Sequence, residues 1–159
     1  METNKQGFRT FEDLETYKAA RAFRVAMYAV SRKLPTFEKF ELASQIRHAA
    51  VSLTNNIAEG HGRWHFLDHI KFVLQARGSL EELLDDVNIC EDEKYLPSAE
   101  ITELRQRGWQ VRKLINGYLR YLRDRKLGNS LALHERAVQY GDTDEELEKW
   151  LANLPLPPS

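Results

Sequence analysis

The sequence predicts an all-α protein: an antiparallel up-down-up-down four-helix bundle with a C-terminal extension that contains a short helix. Apolar residues recur at three- and four-residue steps through four long segments, and no segment shows the sustained apolar-polar alternation of a half-buried strand. The links between these segments are short, which makes consecutive helices antiparallel neighbours. The single Cys90 excludes an internal disulfide framework and any cysteine-based metal cluster within one chain, so the fold must rest on apolar burial.

In the first helix Phe11, Leu14 and Tyr17 lead into Ala20, Phe23, Met27, Val30 and Leu34. Pro35 ends it, because proline lacks an amide proton and pushes the residue before it out of the helical region. The second helix runs from about Glu41 to Glu59 and turns Leu42, Ile46, Ala49, Ala50, Leu53 and Ile57 inward. Gly60 and Gly62 are expected to supply a left-handed exit, with His61 off the helix and Arg63 to His65 turning the chain. The third spans about Phe66 to Glu93 and points Phe66, Ile70, Val73, Leu80, Leu84 and Val87 one way, with Phe72, Ala76, Leu83 and Cys90 beside them. The fourth follows Pro97, with Ser98 expected as its cap. It repeats Ile101, Leu104, Gly108, Val111, Ile115, Tyr118 and Leu122 until Gly128 and Asn129 stop it.

The chain therefore divides into a polar lead (residues 1–10), the bundle (11–127) and an acidic tail (128–159). In the tail, Thr143 with Glu146 three residues on reads as a capping box, and Leu147, Trp150, Leu151 and Leu154 form one apolar stripe before Pro155. With 159 residues, 42% hydrophobic and 30% charged, the chain is the size of one soluble domain. The net charge of -1 averages a basic bundle with this acidic tail. No stretch approaches the roughly 18 apolar residues of a spanning helix, and no apolar leader follows Met1 to Gly7. A cytoplasmic location without membrane contact is the expectation.

Four segments carry a resemblance. These are Phe11-Glu12-Asp13-Leu14 with Tyr17 and Lys18, Ser44-Gln45-Ile46-Arg47-His48-Ala49-Ala50-Val51-Ser52, Asn56-Ile57-Ala58-Glu59-Gly60-His61-Gly62-Arg63, and Ala76-Arg77-Gly78-Ser79-Leu80-Glu81-Glu82-Leu83. Together they resemble the small bacterial four-helix bundle proteins first recognised as products of intervening sequences in 23S ribosomal RNA genes. The resemblance covers roughly residues 8 to 96, and the fourth helix matches only in pattern. It implies a homopentameric ring, no known enzymatic activity, and a distant likeness to the accessory protein of diversity-generating retroelements, which assembles with a reverse transcriptase and nucleic acid. The chain departs from the shared pattern at His65 and His69, where relatives tend to place Ser and Phe, and in its acidic tail.

The fourth helix holds the strongest charge bias. Arg105, Arg107, Arg112, Lys113, Arg120, Arg123, Arg125 and Lys126 are opposed within that stretch only by Asp124. Arg105, Trp109, Arg112, Asn116, Arg120 and Arg123 fall on one strip beside the apolar face. Guanidinium groups grip phosphates while an indole offers a stacking surface, so this strip, with Lys113, is the candidate site for RNA or single-stranded DNA. The competing reading has these side chains snorkelling over the bundle edge, or Trp109 packing at a subunit contact. The stripe of Leu147, Trp150, Leu151 and Leu154 is the candidate partner-binding surface; the alternative is that it docks on its own basic bundle, since opposite charge and shared apolar area favour that contact.

Arg77 and Gly78 are read as structural. Hairpin geometry rules out Glu59 as the partner of Arg77 and leaves Glu81, Glu82 or Gln45, while Gly78 suggests a closely packed neighbour. Glu59, with Asn55, Asn56 and Gly60, is read either as an oligomer rim or as helix capping and solvation. His61, His65 and His69 stand four residues apart, but two helical imidazoles with Asp68 are a thin metal signal and no metal or cofactor is expected. No glycine-rich phosphate loop, nucleophile elbow or carboxylate pair appears, and Cys90 has no histidine near it in sequence, so no enzyme is expected. The expected function is a homo-oligomeric scaffold or accessory protein associated with nucleic acid. The alternative is a protein-interaction module using its tail and ring surface.

Overall fold

The computed structural model describes residues 10–126 and 143–156. They form five α-helices: α1 Glu15–Lys33, α2 Leu42–His61, α3 Phe66–Asp92, α4 Ser98–Lys126 and α5 Asp144–Ala152. Short 3-10 turns at Phe11–Asp13 and Thr36–Glu38 precede α1 and α2, and the described residues contain no strand. No helix among them is long and apolar enough to cross a membrane.

Each long helix packs against the next in sequence, and α1 also packs against α4. The periodic apolar residues meet in one core that includes Phe23, Met27, Ile46, Leu53, Ile57, Ile70, Leu80, Leu83, Ile101, Ile115 and Leu119, all fully buried. Cross-helix contacts set the register. Along α3, His69, Arg77, Glu81 and Glu91 meet Tyr118, Asn116, Arg112 and Arg105, so partners on α4 step backward as α3 advances.

The helix ends have local causes. Thr10 and Asp13 form a capping box around the first 3-10 turn, and Leu34 takes the extended conformation that Pro35 demands. Lys94, at φ 57°, lets the Tyr95 amide donate back to the Cys90 carbonyl and closes α3. Ser98 lies inside α4 rather than capping it; the carbonyl of Pro97 accepts from Glu100 and Ile101 and starts the helix.

Two glycine expectations are corrected. Gly60 is a buried residue inside α2, His61 is that helix's last residue, and Gly62 keeps a right-handed conformation. A Cβ at position 60 would stand 3.1 Å from the Phe72 Cβ and 3.3 Å from the His69 carbonyl oxygen, so this glycine lets α3 approach α2 closely. At Gly78 the expected close neighbour is missing, because the residue is exposed and a Cβ there would meet nothing within 4 Å. The close approach on α4 is at Gly108, where a Cβ would come within 2.5 Å of Leu84 Cδ2 and 3.3 Å of Phe23 Cζ.

The capping box of the tail is present, with Thr143 accepting from the Glu146 amide and Glu146 accepting from the Thr143 amide. The apolar stripe of α5 faces its own bundle: Leu147 and Leu151 are buried in the common core, while Trp150 and Leu154 pack at its edge. The Trp150 ring meets the Phe66 ring edge-on at 6.1 Å.

Candidate nucleic-acid interface

The basic strip of α4 reads differently once its neighbours are in place. Arg105 pairs with Glu91 and donates to Asn88 Oδ1 at 2.8 Å, both on α3. Arg112 pairs with Glu81 at 3.2 Å while its guanidinium lies 5.3 Å from the Trp109 ring centre. Trp109 is 49% exposed, and Lys113 is exposed one residue beyond Arg112. Arg120 pairs with Asp144 of α5, and Arg123 pairs with Asp124 at 2.9 Å and sits 5.9 Å from the Trp150 ring centre. The expected single run of phosphate-gripping side chains is thus divided: Arg105 and Arg112 answer acidic groups on α3, and Arg120 and Arg123 lie beside the tail helix.

Arg77 also differs from expectation. Its guanidinium donates to Asn116 Oδ1 at 3.1 Å and pairs with Glu148 of α5, not with Glu81, Glu82 or Gln45. Asn116 is buried, so Arg77 ties the α3–α4 seam to the tail. Glu81 instead serves Arg112, and Glu59 pairs with Arg63 one helical turn on.

A second surface opens at the end of the bundle, in a cleft of about 1300 Å³. Three separate segments build it: the lead into α1, the α2–α3 turn, and the last turns of α4. Arg63, Arg125 and Lys126 give it positive charge, opposed among its lining carboxylates by Asp13. Trp64 stands at the turn almost wholly in solvent, 99% exposed. Nearby the rings of Tyr118 and Tyr121 stack with centres 6.3 Å apart, and Lys126 lies 5.8 Å from the Phe66 ring centre.

The three histidines of this end do not form a metal site. His69 Nε2 shares a hydrogen bond of 2.8 Å with the Tyr118 hydroxyl, and His65 is the exposed residue before α3. Among the described residues no group of three or more His, Cys, Asp or Glu is arranged to hold a metal ion. Burial, reinforced by His61 and Arg125, pushes the His69 imidazole down to about 4, so it is neutral at pH 7. Burial likewise pushes the Tyr118 phenol up to about 12. His69 therefore adds no charge to the cleft, whose permanent cations are Arg63, Arg125 and Lys126 and whose walls include Trp64, Phe66, Tyr118 and Tyr121. The cleft's sequence signal was the Arg63-Trp64-His65 turn together with Arg125-Lys126, two stretches far apart in the chain that no local spacing rule connects.

Interleaved cations and open aromatic faces suit a flexible polyanion that offers unstacked rings. No curated protein matches the chain. A family profile described as 23S rRNA-intervening sequence protein matches residues 12–117, which spans α1, α2, α3 and most of α4 and leaves the polar lead and the tail outside. With two thirds of its length covered by that match, the chain belongs to the 23S rRNA-intervening sequence protein family.

Proposed function

We propose that the protein is a non-enzymatic accessory or scaffold protein of the cytoplasm that binds unpaired RNA or single-stranded DNA through the cleft at the bundle end. The observation that carries this reading is Trp64, wholly exposed between Arg63 and the Arg125–Lys126 pair. A large aromatic side chain held in water at a basic turn is a stacking platform with phosphate ligands beside it. The family's name, which ties its members to ribosomal RNA genes, agrees. Cys90 is buried and burial pushes its thiol up to about 11, so this side chain is not a ready nucleophile.

The opposed stepping of α3 and α4 contacts supports an antiparallel up-down-up-down bundle as the subunit. Exposed Val25, Phe37, Phe40 and Tyr121 are more apolar surface than a lone small domain needs, which supports a homo-oligomeric ring of such bundles, a pentamer by family likeness. Phe37 and Phe40, exposed between α1 and α2, also favour the second reading, a protein-interaction module that uses its tail and ring surface without nucleic acid.

Fluorescence anisotropy with a labelled single-stranded RNA separates the two. The nucleic-acid reading requires binding that weakens steeply with salt, and Trp64→Ala should weaken it about tenfold, the worth of one stacked base. Replacing Arg125 and Lys126 with Ala should lower the salt slope by roughly one to two. No binding at about 50 mM salt, where phosphate contacts are strongest, would leave the interaction module standing.

A further inference from the structure

A second concavity of about 440 Å³ lies between α2 and α3, and none of its lining residues is among those that pair with the tail. Gln45, His48 and Ser52 line it from α2, and Glu82, Asp85 and Asp86 from α3. The three acids stand at i, i+3 and i+4, which places them on one face of α3. Glu82 and Asp85 are exposed at the rim, whereas Asp86 is the floor, only 5% exposed.

Asp86 Oδ2 is buried and receives no hydrogen bond among the described residues. Buried carboxylates ordinarily have donors, so one without a donor calls for an explanation, and a ligand that brings the donor supplies one. No arginine or lysine lines the groove, and Arg77, Arg105 and Arg112 are engaged elsewhere, with Asn116 and Glu148, with Asn88 and Glu91, and with Glu81. Burial, with Glu82 and Asp85 beside it, pushes the Asp86 carboxyl up to about 7, the response of an acid that lacks a cation.

We propose that this groove binds an aliphatic polyamine, one ammonium group seated on Asp86 and a second held at the rim by Glu82 and Asp85. A bare divalent ion fits poorly, because the described side chains offer no three-ligand group at metal geometry. An ammonium group asks only for acceptors at hydrogen-bond distance. Carboxylates three and four residues apart on a helix stand about 5–6 Å apart at their Cβ atoms, and the short methylene spacers of a polyamine cover a comparable distance. Gln45 adds a neutral carbonyl acceptor on the opposite wall. The same ammonium or guanidinium chemistry is carried by a basic side chain of a second copy of this chain, and the experiment distinguishes that source. The site is independent of the nucleic-acid cleft.

Spermidine is titrated into the full-length protein by calorimetry, and the side-chain carboxyl resonances of aspartate and glutamate are followed by NMR in parallel. The expected result is saturable one-to-one binding that moves the Asp86 resonance and lowers its midpoint of titration. The near-isosteric Asp86→Asn should weaken binding at least about tenfold, and the surface variant Glu82→Gln, which leaves the core untouched, several-fold. Equal binding by wild type and both variants overturns the proposal. So does an absence of saturable binding, and if light scattering then shows a smaller particle for Asp86→Asn than for wild type, the seat belongs to a basic side chain of a second copy.

Discussion

At the scale of single residues, two helical glycines have opposite reasons to exist. Gly78 sits exposed in the middle of α3 with open space where a Cβ would be, so its cost to the helix is uncompensated by any contact. Gly78→Ala should therefore raise the unfolding free energy by up to about 1 kcal/mol. Gly108 is opposite: a methyl group there would collide with Leu84 inside the core, and Gly108→Ala should lower stability by about 1–3 kcal/mol. Urea denaturation of both variants checks the signs, and a loss at position 78 would mean that the helix needs its glycine for something other than space. Two titrating side chains have opposed effects in the same way. The Asp86 carboxyl, raised to about 7, holds its proton in the folded state after the unfolded chain has released its own, so its contribution to stability falls as pH rises from about 4 to 7. The His69 imidazole, lowered to about 4, stays neutral when the unfolded chain protonates near 6.5, so its contribution falls as pH drops from about 6.5 to 4. Each effect is on the order of a few kcal/mol, and between pH 4 and 6.5 they oppose each other. Relative to wild type, Asp86→Asn should gain stability as pH rises, and His69→Gln should gain it as pH falls. Urea midpoints at pH 4.5, 5.5 and 6.5 test this, and a curve parallel to wild type would show that the side chain removed is not perturbed in the fold.

At the scale of elements, periodicity was enough to find the helices because burial here has one face per helix. Ala20, Phe23, Met27 and Val30 in α1, and Ile101, Leu104, Val111 and Ile115 in α4, are all buried where the three-four steps place them. Ends marked by proline were also legible, since Pro35 acts on its own neighbour. The end of α2 was not, because a glycine serves equally as a helix exit or as a place for another helix to approach, and only the position of Phe72 and His69 decides for Gly60. Charge was the least legible property. The eight cations of α4 look like a free strip when that helix is tallied alone, yet Glu81, Asn88 and Glu91 face it from α3. Conversely, Arg63, Trp64, Arg125 and Lys126 attract little notice in two separate stretches and become one basic-aromatic surface when the bundle brings them to one end. Side chains that work within one element can be read from spacing; those that depend on which element lies opposite cannot.

At the scale of the whole molecule, the tail turns a basic bundle into a nearly neutral particle. Helix α5 lies outside the family match, pairs Asp144 with Arg120 and Glu148 with Arg77, and sets Trp150 against Phe66, a residue that also lines the cleft. It therefore covers cations next to the proposed nucleic-acid site, and its acids occupy positions that phosphates would take. Being part of the same chain, it competes at a high effective concentration. The pairs are partly exposed, and each is worth about 1 kcal/mol or less. Burial of Leu147 and Leu151 holds the helix more strongly, at about 1.5–3 kcal/mol for each fully covered side chain. These magnitudes order the outcomes. Asp144→Asn with Glu148→Gln should tighten single-stranded RNA binding by a few-fold, because the acids are neutralised while the stripe still docks. Leu147→Asp should tighten it further, since a carboxylate cannot enter the core and the whole helix must leave. Truncation after Gly128 should equal or exceed that effect and steepen the salt dependence, as more arginines become available to phosphate. Anisotropy across a salt series gives both readouts, with circular dichroism checking that the four long helices persist. If Leu147→Asp and the truncation bind RNA with the affinity and slope of wild type, the tail does not stand over the nucleic-acid surface, and its docking on α3 and α4 serves stability alone.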